Sequence, residues 1–93
     1  MTPEQAAKDR SDLATALGGD WEVELELDTL WGVTLAGLVA TSPGSMVIIN
    51  CGDDHWLLFR LNKYRVCVHR EEGIAALTAW IRAIAAIQEP RPV

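Results

Sequence analysis

The sequence predicts one α+β domain: an antiparallel β-meander of about five strands flanked by an N-terminal and a C-terminal helix. Three observations carry this. Apolar and acidic residues alternate without error from Trp21 to Asp28, four further apolar segments of strand length are separated by turn residues, and helical periodicity occurs only at the two ends. The 93 residues leave room for a single domain, 1–93, and the 49% hydrophobic content supplies the core density that so short a chain needs.

The first helix is expected over 3–17. Thr2 is placed as N-cap, Pro3 as the first helical residue and Gln5 as the capping-box partner, while Gly18-Gly19 ends the helix. Its stripe of Ala6, Arg10, Leu13, Ala14 and Leu17 is thin, which predicts packing at an edge of the fold. The first strand, about 20–28, sets Trp21, Val23, Leu25 and Leu27 against Glu22, Glu24, Glu26 and Asp28. A second strand follows over 31–40. A three-residue turn at Asp28-Thr29-Leu30 would bring Trp31, Val33 and Leu35 to the core side opposite Leu27, Leu25 and Val23. A two-residue turn would instead put Gly32, Thr34 and Ala36 there, and the more apolar register is preferred.

Thr41 to Ser45 reads as a loop. Strands at 46–51, 55–61 and 64–69 are joined around Gly52-Asp53-Asp54 and Asn62-Lys63. Tight hairpins would gather Met46, Ile48, Leu57, Phe59, Leu61, Tyr64, Val66 and Val68 into the core. The reverse face would carry Val47, Ile49, Cys51, Trp56, Leu58, Arg60, Arg65, Cys67 and His69. A last helix, 71–89, opens at Glu71 or Glu72, where the helix dipole favours acid. Ile74, Leu77, Ile81, Ile84 and Ala85 form its buried stripe, widened by Trp80 and Ile87. Pro90 ends it, leaving a tail at 90–93.

No apolar run approaches the roughly 20 residues of a membrane span. The acidic start, Thr2-Pro3-Glu4-Gln5, lacks the basic and apolar regions of a signal peptide, so a cytoplasmic location is expected. Cys51 and Cys67 lie in strand-like segments and read as buried free thiols. Cys51, His55, Cys67 and His69 are zinc-ligand types, but strand pairing keeps Cys51 and His69 about two strand spacings, roughly 9.6 Å, apart. No metal or cofactor is expected. Asp54 with His55 could supply acid and base, yet the segment is composed of ordinary turn residues, and the chain holds neither a nucleophile elbow nor a phosphate loop. No catalytic residue is assigned.

The surface is more informative. The net charge of −5 combines −8 over residues 1–54, from ten acids and two bases, with +3 over 55–93, from three acids and six bases. Glu22, Glu24, Glu26 and Asp28 form an acidic ladder with steps of about 7 Å, near the phosphate spacing of one nucleic-acid strand. It suits either a solvated edge or a phosphate mimic. Arg60, Lys63, Arg65 and Arg70 cluster near Trp56 and Tyr64. Overall acidity disfavours direct nucleic-acid binding and points these bases at a protein. Val47, Ile49, Trp56 and Leu58 are expected to leave an apolar patch on the wet side of the sheet. The function expected is a small non-enzymatic protein-interaction module, a homodimer through that half-apolar face. The alternative is a small acidic inhibitor or nucleic-acid-mimicking decoy of a larger nucleic-acid-handling complex. In layout and charge the chain is similar to some phage-encoded anti-CRISPR inhibitors, a resemblance that no motif carries.

Overall fold

Thr2 opens helix α1 (Pro3–Leu17) by accepting a hydrogen bond from the Gln5 N–H at 3.2 Å, and Gly18 closes it at φ +56°. The chain continues through β1 (Glu22–Leu30), β2 (Val33–Ser42), β3 (Ser45–Cys51), β4 (His55–Arg60) and β5 (Tyr64–His69). A 3-10 turn (Arg70–Glu72) then leads into α2 (Gly73–Ala85). These elements come from a computed structural model that describes residues 2–60 and 63–87, the Thr34 side chain excepted. The last helix ends at Ala85, short of the expected 89, and Leu61, residues 88–89 and the tail at 90–93 lie outside the described residues. The five strands form one antiparallel sheet in the order β1-β2-β3-β4-β5, so the α+β meander predicted from the sequence is the fold. Both helices lie on the same face of the sheet: α1 packs on β1 and β2, α2 on β3, β4 and β5, and the helices touch each other.

The register differs from expectation at two turns, and each difference reverses which side chains face the helices. At the first hairpin Leu30 pairs with Val33, so the turn is Trp31-Gly32. Both residues have positive φ, 51° and 78°, as a two-residue type I′ turn requires. The strands therefore run on past the expected turn. Ala36, Leu38 and Ala40 line the core in place of Trp31, Val33 and Leu35, which are exposed.

At the last hairpin Arg60 pairs with Tyr64, and the Lys63 N–H donates to the Arg60 carbonyl at 3.1 Å. Three residues connect these strands instead of two. Because side chains alternate with period two, the one-residue change sets Tyr64, Val66 and Val68 beside Arg60, Leu58 and Trp56. The inner face thus carries Val47, Ile49 and Cys51 from β3, Trp56 and Leu58 from β4, and Val68 from β5. Met46, Ile48, Leu57 and Phe59, expected in the core, lie on the outer face.

A charged residue of the α1 stripe completes the core: Asp9 is buried where Arg10 was expected, and Arg10 is exposed. Asp9, on the inner side of α1, has a side chain only 4% exposed. Arg70 reaches it with two nitrogens, Nη1 to Oδ1 at 3.0 Å and Nη2 to Oδ2 at 2.7 Å, while the Trp56 indole N–H donates to Oδ2 at 3.2 Å. The guanidinium also donates to the Gly52 carbonyl at 2.7 Å and lies 4.7 Å from the Trp56 ring centroid. Burial alone would raise the Asp9 pKa, but these donors, with the Gln5 amide, outweigh it and hold the carboxyl below its ordinary value. The same contacts explain how a helix with a thin apolar stripe stays docked.

The helix C-termini are tied down similarly. Arg82 donates to the Leu17 carbonyl at 3.1 Å, and Ser45 Oγ donates to Ala85 O at 3.1 Å. Arg60 Nη1 donates to the carbonyls of Ile84, at 2.9 Å, and Ile87.

Candidate protein-docking surface

The apolar residues first assigned to a partner are core. Val47, Ile49 and Leu58 are fully buried and Trp56 is 3% exposed, because α1, α2 and the Asp9–Arg70 pair cover their face. That correction moves the candidate site to the other side of the sheet, where apolar groups are left in water.

On this outer face the register aligns residues in rows perpendicular to the strands, since directly paired residues share a face. The central row is Glu24, Val39, Ile48, Phe59 and Arg65, one residue from each of the five strands. The next is Glu26, Gly37, Asn50, Leu57 and Cys67. In the middle of the face Ile48 is 40% and Met46 54% exposed, while Val39, Leu57 and Phe59 are half-buried. Beyond Gly37, the last β2 residue paired with β3, the β1–β2 hairpin projects as a two-stranded arm. Its exposed apolar side chains are Leu30, Val33 and Leu35 on this face and Leu27 on the other, and at its tip Trp31 is 94% exposed. A tryptophan in water, on a left-handed turn that favours glycine or asparagine, is costly twice over: in apolar hydration and in backbone strain.

The two edges of the face carry opposite charge. Glu22, Glu24, Glu26 and Asp28 are all exposed along β1, as the sequence pattern required. Glu22, Glu24 and Glu26 form no ion pair among the described residues. At the far edge Arg65 lies over the Phe59 ring at 5.5 Å and likewise meets no carboxylate there. Lys63 is exposed beside it. The other two members of the expected basic cluster are engaged inside the chain, Arg60 on the end of α2 and Arg70 on Asp9, so they are not part of this edge.

The thiols part ways. Both are free, but Cys51 is buried on the inner face and Cys67 is exposed on the outer one, contrary to the expectation that both are interior. Burial and the nearby Asp9 push the Cys51 thiol up to about 12. His55 and His69 are cross-strand neighbours on the outer face, separated from Cys51 by the sheet. Among the described residues no three His, Cys, Asp or Glu side chains converge as metal ligands. Asp54 Oδ1 and His55 Nδ1 meet at 2.6 Å on the open β3–β4 turn, which holds the Asp54 carboxyl below the usual range.

Trp80, expected to widen the buried stripe of α2, is 45% exposed on that helix. No described helix is long and apolar enough to cross a membrane. Sequence reasoning missed the arm because its only local sign was Gly32, and missed Asp9 because its partner lies 61 residues away. Comparison with known proteins returns no match: no family model, no curated protein and no solved structure aligns with this chain.

Proposed function

We propose that this chain is a small non-enzymatic protein-interaction module that docks through the outer face of its sheet and the projecting β1–β2 arm. One observation carries the reading: exposed apolar side chains run from Met46 and Ile48 across the sheet to Leu35, Val33 and the fully presented Trp31. A chain of this size ordinarily shelters such groups, and bare apolar surface rimmed by charge is the composition of a protein contact. Trp31 is the natural anchor, since buried tryptophans dominate interface energetics.

A second reading rests on the carboxylates of Glu22, Glu24 and Glu26, unpaired among the described residues, which suit an acidic inhibitor that occupies a basic groove of a nucleic-acid-handling complex. Site-specific photo-cross-linking in the native cell separates the two. A photoreactive side chain at Ile48 or Trp31 should form protein adducts, while one at Ala83 on the exposed side of α2 should not. Adducts only from Ala83, or from none of the three positions, refute the outer face as the contact. Adducts confined to a large basic protein, lost on Glu22→Lys plus Glu24→Lys, favour the inhibitor.

A further inference from the structure

The central row of the outer face is its own complement. It reads acid, apolar, apolar, apolar, base from Glu24 to Arg65, with Ile48 in the middle. We infer that the docking face is occupied by a second copy of this chain, related by a two-fold axis that runs along the strands past Ile48. This rests on the reading of the outer face as a contact surface and names its occupant.

Rotation about an axis along the strands exchanges the β1 and β5 edges while keeping each row at its own level. Glu24 then faces Arg65 of the second copy, Arg65 faces Glu24 of the second copy, Val39 meets Phe59, and Ile48 packs on its own counterpart. Two rows along, the same rotation sets Asp28, which pairs with Leu35, toward His69, which pairs with His55. An in-plane axis across the strands would instead lay acid on acid and base on base. The charges therefore select one of the two isologous arrangements. Aligned packing of two twisted sheets at about 10 Å is an ordinary way to bury such faces.

Four strand spacings by six residues give a projected patch of about 19 by 20 Å, roughly 400 Å². Upright side chains raise the accessible area above that figure. Even so, the pair falls at the lower end of specific interfaces, among weak and transient contacts.

Sedimentation of purified full-length chains between about 1 μM and 1 mM tests the arrangement, with mass about twice the 10.2 kDa of the monomer expected at the upper end. Each edge contact occurs twice in a symmetric pair. Glu24→Arg alone and Arg65→Glu alone should each weaken self-association at least about tenfold. Both positions are exposed, so neither change disturbs the core. An equimolar mixture of the two variants should associate within about threefold of the unaltered chain. In the mixed pair the introduced arginine of one variant meets the introduced glutamate of the other, and the remaining Glu24 still meets the remaining Arg65. A mixture that fails to recover overturns the arrangement. If Ile48→Glu abolishes the dimer while the charge reversals leave it intact, the contact face stands and this pairing does not. An unaltered chain that stays monomeric throughout removes the second copy as the occupant, and the cross-linking above then decides the face independently.

Discussion

Replacing Arg70 with alanine tests whether the Asp9 pair is the internal lock that its geometry implies. The substitution removes both guanidinium bonds to the carboxylate, the bond to the Gly52 carbonyl and the stacking on Trp56. What remains is an anion in a site 4% exposed, with the Trp56 and Gln5 donors but no countercharge among the bonds described above. Breaking a buried pair in this way costs about 3–5 kcal/mol. In a domain of this size the lower figure alone corresponds to a fall in Tm of at least about 12 °C.

The pH dependence is more discriminating. In the unaltered chain the folded-state pKa of Asp9 is depressed, so its contribution is complete above the ordinary carboxylate value and is lost as pH falls through the folded value. Without Arg70, burial dominates and raises the Asp9 pKa. The carboxyl then contributes at low pH and the contribution is lost as pH rises through the new value. The stability difference between the two proteins, from urea unfolding at pH 3 to 7, should therefore shrink on acidification. A loss below about 1 kcal/mol that does not change with pH would mean that the pair behaves as a solvated surface contact, against its burial.

Two further outcomes follow from local geometry. With the Cys51 pKa near 12, only about one molecule in ten thousand carries that thiolate at pH 8, so a thiol reagent should label Cys67 alone in the native protein and both cysteines in denaturant. Rapid native labelling of two thiols would contradict the burial of β3. Trp31→Asn relieves a positive φ and removes no packing from a residue 94% exposed. It should stabilise the fold by up to about 1 kcal/mol in chemical denaturation, and a clear loss of stability would show that the indole packs on the chain itself.

Where chemistry is local the sequence was readable. Thr2, Pro3 and Gly18 fix both ends of α1, although the Gln5 side chain donates to Asp9 where a capping box was expected, and the alternation from Glu22 to Asp28 fixes one acidic face of β1. The strand facings were harder, because β2, β3 and β4 are apolar on both sides, and a pattern that is apolar at every position cannot choose between registers. Turn geometry then decides. Arg60 pairing with Tyr64, and a tryptophan where a type I′ turn favours asparagine or glycine, were both the less obvious choices. The expected interface residues were consequently sound as a set of neighbours and wrong in facing: Val47, Ile49, Trp56 and Leu58 do sit together, but under the helices. The pairing of Asp9 was not legible, since nothing in the 15 residues of α1 signals a partner 61 residues away.

The Asp9–Arg70 contact also orders events during synthesis. Every strand of the meander pairs with its neighbour in the chain, so the sheet can zip hairpin by hairpin as it leaves the ribosome. Helix α1 emerges first, yet its anchoring guanidinium follows about 60 residues later. Until then Leu13 and Leu17 lack the finished surface they bury against, and the nascent chain is at its most adhesive. Docking of α1 thus waits for Arg70 and for the α2 residues that follow it, Arg82 on the Leu17 carbonyl among them.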